Sequence, residues 1–277
     1  MGYGDYLMLS GIVRDMKKKF GSVAVTARTA EHADYFQAVF RGNPYLTPAS
    51  GVPKGKRAID VPPVRFAAND EPAGRLRWSP SFTAIPGNLY FSEEELRWAA
   101  RIVDELIAQS GHDMLVLLNP YAKRGSMLND LVVAYEHYVN KEWGYDRHRA
   151  VVRAMSSEVG FVQTCGPGDD RPPIEGALRV ETPTFRHAAA LLERCQAYLG
   201  CEGGMHHAAA AVNTRGVVIF GGWLPPKLTG YPIHDNVYRG DFEDACGSLR
   251  PCPHCSDIMM RISVDEIVMR LQAMLEA

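Results

Sequence analysis

Six residues, Met114-Leu115-Val116-Leu117-Leu118-Asn119, constrain this chain more than any other stretch. A continuous apolar run of that length predicts a strand buried on both faces, and such a strand needs helices above and below its sheet. The surrounding sequence supplies them. Ser92 followed by Glu93, Glu94 and Glu95 has the pattern of an N-cap and acidic first turn, and Trp98, Ile102, Val103 and Leu106 carry the helix to Gly111. Beyond the apolar run, spacing predicts a helix near 129–143, strands at 161–164 and 178–180, and a helix at 184–197. A strand at 198–202, a helix at 203–213, a strand at 216–220 and an amphipathic helix at 264–276 follow. This alternation predicts an α/β protein with a parallel sheet, its main domain spanning residues 91–277.

Residues 1–90 read as a separate, shorter domain. After Gly2-Tyr3-Gly4-Asp5 come apolar positions Leu9, Ile12, Val13 and Met16, then Lys17–Lys19 and Gly21, which is a helix with a basic last turn and a stop. A strand at 23–26 and a helix at 30–40 are expected next. Residues 41–86 are proline-rich and read mostly as loop, with one short strand near 58–61. The first 92 residues carry twelve basic against seven acidic side chains, within a chain whose net charge is −2. That mild excess suits an anionic acceptor.

Several classes are excluded. No apolar run approaches the ~18 to 20 residues of a membrane span. Six cysteines in 277 residues are too few for a disulfide scaffold, and no signal peptide pattern opens the chain, so a cytoplasmic location is expected.

Three segments could carry chemistry. Glu202, Gly203, Gly204, Met205 and His206 follow an expected strand and open an expected helix. Free N–H groups and the positive helix end would there meet a phosphate, and Glu202 could accept from sugar hydroxyls. A plain tight turn would have the same glycines. Lys123, Arg124 and Ser126 follow the 114–119 strand and could neutralise a diphosphate, or form a solvated basic loop. Asp5, after two glycines at a helix start, could be a general base or only a helix cap.

These segments resemble a known family. Gly4-Asp5-Tyr6-Leu7-Met8 is similar to the amino-terminal Gly-Asp motif of the heptosyltransferase-like glycosyltransferases, family nine. Residues 202–211 resemble that family's Asp-Ser-Gly-Pro-Met-His-Leu-Ala-Ala-Ala segment. Thr184-Phe185-Arg186 is similar to its Thr-Ser-Leu-Arg helix start, and residues 217–222 with Thr229-Gly230 to its Val-Val-Ala-Leu-Phe-Gly segment. The resemblance implies two Rossmann-like domains facing across a cleft, the first of them short. It also implies an inverting, metal-independent glycosyltransferase moving a sugar from a nucleotide-diphosphate sugar to an acceptor hydroxyl without a cofactor. Asp5 falls at the family's base. Lys123, Arg124, Ser126, Glu202, Gly203, Gly204, Met205 and His206 fall at the donor site. Two positions depart from the pattern: only Met1 to Tyr3 precede Gly4-Asp5, and the family's acidic residue falls at Cys201. An inactive nucleotide-sugar-binding protein is the alternative these departures support.

Cys246, Cys252 and Cys255 are a further alternative, a zinc staple that would suit a nucleic-acid binder. A single Cys-x-x-Cys supplies two of the four ligands a structural zinc takes. Adjacent histidines point about 100° apart on a helix, so of His206 and His207 one is expected in the cleft and the other in the core. Trp223, beside two glycines, is expected to cap a strand end rather than stack on a base.

Overall fold

The computed structural model describes residues 2–21, 33–46, 67–70, 74–122, 125–128, 131–134 and 136–277, with the backbone alone at 67–70, 125–128, 131–134 and 136–138. The expected strands at 23–26 and 58–61 lie outside these residues.

In chain order the elements begin with helices α1 (Tyr3–Phe20) and α2 (Ala33–Phe40), then strands β1 (Ala67–Asp70) and β2 (Arg75–Trp78). Next come α3 (Glu93–Ser110), β3 (Leu115–Asn119), β4 (Gly125–Leu128), β5 (Leu131–Ala134), a 3-10 turn at Glu136–Lys141 and α4 (Tyr145–Met155). Strands β6 (Gly160–Cys165) and β7 (Leu178–Glu181), helix α5 (Phe185–Leu192), β8 (Ala197–Cys201), α6 (Gly204–Ala211) and β9 (Gly216–Ile219) follow. The last elements are α7 (Pro226–Thr229), β10 (His234–Val237), α8 (Pro253–Met260) and α9 (Val264–Glu276).

Six strands form one sheet in the order β10-β9-β8-β3-β6-β7, every pair parallel. Numbered by their place in the chain, these strands run 3-2-1-4-5-6 across the sheet, the Rossmann order. The apolar run at β3 behaves as expected. Leu115 and Leu117 enter a core with α1, α3, α5 and α6 on one face, while Val116 and Leu118 enter another with α4 and α9.

The helix starts follow their sequence signals. Ser92 accepts from the Glu95 N–H at 3.3 Å and Glu95 returns a bond to the Ser92 N–H at 2.7 Å, a reciprocal cap. Glu95 then goes inward: its two oxygens take Arg186 of α5 at 2.6 and 2.8 Å, both side chains buried.

Some expectations fail. The stretch expected as a helix at 129–143 instead contains β5, paired antiparallel with β4, and the 3-10 turn. Leu131-Val132-Val133 favours a strand over a helix, because β-branched side chains lose rotamer freedom in a helix. The hairpin of β1 and β2 falls where loop is expected. Among the described residues, 1–90 build no second parallel sheet. Tyr6, Leu7, Leu9 and Val13 of α1 share one core with β3, α5 and α6, so this helix is a layer of the sheet described above.

Candidate functional site

The order of strands reverses between β3 and β8, which are hydrogen-bonded neighbours with Asn119 opposite Gly200. In open parallel sheets the crevice outside the carboxyl ends of such a pair is where ligands bind. Both loops singled out by sequence start there: Pro120 and Tyr121 leave β3, and Glu202 and Gly203 leave β8.

Gly203 has extended backbone, and a Cβ placed on it would meet nothing within 4 Å among the described residues. The N–H groups of the first turn of α6 have no intrahelical acceptor. Two further helix starts converge on this turn. A Cβ on Gly204 would lie 3.5 Å from the Tyr3 Cβ of α1 and 3.9 Å from the Phe185 ring of α5, and Tyr3 stacks on Phe185 with ring centres 3.9 Å apart. The turn is therefore flanked by the positive ends of three helices.

The side chains around it are mostly turned inward. Glu202 is buried and paired with Lys141 at 2.5 Å, with His207 Nε2 3.7 Å away. Burial pushes its carboxyl up, but the Lys141 ammonium and the neighbouring histidines, His207 above all, together outweigh this and hold it well below the carboxylate range. Lys141 also lies over the Trp223 ring at 4.1 Å. Met205 packs into the core. His206 is fully buried: its Nε2–H donates to the Thr229 carbonyl at 2.8 Å, and Nδ1 accepts from the Gly203 N–H at 3.0 Å. Burial, with His207 beside it, keeps this ring neutral by lowering its pKa far below the usual histidine value. Its contribution is to fix the shape of the turn. Neither histidine meets a cleft, contrary to expectation. Their ring centres lie 4.0 Å apart and both are buried, with the His207 ring against Gly4 of α1. His207 Nδ1 lies 2.6 Å from the Tyr231 hydroxyl.

Asp5 lies half-buried in the first turn of α1, where Oδ2 accepts from the Gly2 N–H at 2.7 Å. Gly4 serves packing rather than a ligand, since a Cβ there would come within 2.5 Å of the His207 ring. Lys123 and Arg124 lie outside the described residues. Ser126 stands in β4, whose backbone alone is described. Trp223 is buried, as expected, and its Nε1–H donates to the Ser248 carbonyl at 2.7 Å.

A cavity of about 760 Å³ beyond β9 was not foreseen. Arg75 and Arg77 of β2, Lys227 of α7, Trp78 and Phe242 line it, with Asp244, Cys246 and His254. The alternation in Arg75-Leu76-Arg77-Trp78, with both arginines exposed, is the signal that could have found it. On its edge Cys246 Sγ stands 3.0 Å from Cys255 Sγ and 3.8 Å from Cys252 Sγ.

No family model matches the chain, and no curated protein matches it. Among solved structures it is similar to ADP-heptose LPS heptosyltransferase II of E. coli, with 16% identity and a TM-score of 0.48 over 73% of this chain and 54% of that one. It is also similar to a family 9 glycosyl transferase of Veillonella parvula, with 15% identity and a TM-score of 0.48 over 70% and 55%. A third similar structure is the iron-containing dodecameric glycosyltransferase TibC of enterotoxigenic E. coli, with 15% identity and a TM-score of 0.41 over 59% and 45%. The chain thus spans about half the length of the solved structures it matches.

Proposed function

We propose that this chain binds a nucleoside-diphosphate sugar at the β8–α6 turn and transfers the sugar to an acceptor hydroxyl. The observation that carries this reading is that β3 and β8, whose ends lead into the Pro120 and Glu202 loops, are neighbours at the reversal of strand order. The diphosphate lies against the N–H groups of Gly204, Met205 and His206, in the space open beside Gly203. Lys123 and Arg124, at the start of the neighbouring loop, add positive charge as the diphosphate leaves.

The acceptor oxygen attacks the anomeric carbon from the face opposite the leaving group. The bond from that carbon to the diphosphate oxygen breaks, the configuration inverts, and the hydroxyl proton passes to Asp5. Cationic side chains and helix ends do the electrostatic work, so transfer proceeds at the same rate with and without added magnesium or manganese. The acceptor is a glycan, a small molecule, a protein or a modified nucleic-acid base, and the basic amino-terminal third suits an anionic one.

A thermal-shift screen tests the reading. Nucleoside diphosphates and their sugars raise the melting temperature while the matching nucleosides raise it far less. A ligand at 100 times its dissociation constant adds about 2.7 kcal/mol. Equal shifts for nucleoside and diphosphate, or no shift for any diphosphate of adenosine, guanosine, uridine, cytidine or thymidine, contradict it.

A further inference from the structure

The three cysteines that follow β10 are drawn together from separate positions. Cys246 lies in the loop after Asp244, Cys252 caps α8, and Cys255 sits in its first turn. All three Sγ atoms fall within 4.8 Å of one another. Cys255 is fully buried, the other two are partly buried, and all are free thiols.

Each is fixed by backbone bonds. The Cys246 N–H donates to the Gly222 carbonyl at 2.9 Å, and the Gly222 N–H reaches the Cys255 carbonyl at 3.5 Å. The Asn140 side chain, itself buried, accepts from the Cys252 N–H at 2.8 Å and donates to the Arg250 carbonyl at 2.8 Å. Gly247 adopts φ +60°, the left-handed region, which turns the Ser248 N–H onto Cys246 Sγ at 3.4 Å. Cys252 and Cys255 stand at the positive end of α8. The site is thus furnished for negative sulfur.

Sulfurs bound tetrahedrally to zinc at ≈ 2.3 Å stand about 3.8 Å apart; Cys246 and Cys252 stand at that separation, and Cys255, 3.0 Å from Cys246, has to move outward by less than about 1 Å. A disulfide joins two sulfurs at ≈ 2.05 Å and would leave the third unused. We propose that Cys246, Cys252 and Cys255 bind one thiophilic divalent cation, zinc in the first instance, as three thiolates, with water in a fourth position facing the Arg75/Arg77/Lys227 cavity. Binding displaces the three thiol protons to solvent, so affinity rises with pH.

The cation acts as a staple rather than a catalyst. Loop 244–252 also holds the β1–β2 hairpin: the Leu76 N–H donates to the Gly247 carbonyl at 2.8 Å, and the Leu249 N–H to the Gly74 carbonyl at 3.0 Å. Trp78 Nε1–H donates to the Trp223 carbonyl at 2.9 Å. A cation on the three sulfurs therefore orders the wall of the cavity, independently of whether a nucleotide sugar binds at the β8–α6 turn.

The test uses the full chain, reduced and stripped of metal, titrated with cobalt(II) and then with zinc(II). One cobalt per chain gives thiolate-to-cobalt charge-transfer absorption with tetrahedral d–d bands, and one equivalent of zinc removes both. Cys252→Ser lowers the charge-transfer intensity by about a third, one thiolate of three, with unchanged circular dichroism. Cys195→Ser, a buried cysteine in the other core, leaves it as in the parent. Zinc also protects the two partly exposed thiols, Cys246 and Cys252, from a thiol reagent in the folded protein. Absence of the charge-transfer band in the parent, its persistence in Cys252→Ser at full strength, or equal thiol reactivity with and without zinc overturns the assignment.

Discussion

Asp5 has two roles to divide. Its carboxylate caps the first turn of α1 through the Gly2 N–H, and the proposed reaction asks it to accept a proton as well. Asparagine caps a helix about as well as aspartate but cannot take the proton. Asp5→Asn is therefore expected to keep the parental melting temperature and lose ~10² to 10⁴ in turnover; a parental rate in a donor-release assay would leave Asp5 with the cap alone. The sequence placed this carboxylate at a helix start correctly, because capping is local. It could not show that Glu202 turns to Lys141 or that His206 spends both ring nitrogens on backbone. Those partners come from other elements, and no spacing along the chain reports them.

Elements with strong local signals were legible. The reciprocal cap of α3, the apolar run of β3 and the β8–α6–β9 sequence form where their patterns point. Helix α4, helix α8 and strand β10 were not foreseen, and β5 was read as helix; these short pieces are decided by what packs on them. The docking of α1 on α6 is of the same kind and hangs on Gly4, above the His207 ring. Alanine there gains up to about 1 kcal/mol in helix propensity, yet its Cβ forces a buried ring aside, and overpacking costs about 1–3 kcal/mol. Gly4→Ala is expected to lower the melting temperature by a few degrees in differential scanning calorimetry. An unchanged or higher value would mean that α1 shifts freely on α6.

Across the whole molecule, the sheet order 3-2-1-4-5-6 brings the two candidate loops together, and strand order is a tertiary fact that periodicity does not contain. The same burial sets an acid limit on stability. Burial holds His148 and His234 down to about 4 and keeps His206 well below its ordinary value too, whereas an unfolded histidine titrates near 6.5. The unfolded chain thus binds more protons below pH ~6.5, and stability falls as pH drops from there toward 4. Glu95, raised by burial but brought down to about 2 by Arg186 and the hydrogen bonds of Ser92, contributes stability that is full above ~4.3 and fades toward pH 2. Denaturant midpoints are expected to be level above pH 7 and to decline from pH 6.5 to 4.5; a flat profile over that range would mean these histidines ionise in the folded state. The central claim is that a nucleoside diphosphate sits in the open space beside Gly203, and titration calorimetry of Gly203→Val measures it most directly. The extended backbone accepts valine and, among the described residues beyond its chain neighbours, no atom stands within 4 Å of its Cβ, so the fold and melting temperature should survive while the side chain fills the phosphate's place. The account predicts that diphosphate binding disappears in a variant that melts as the parent does, and a Gly203→Val protein that bound the diphosphate with parental affinity would contradict it.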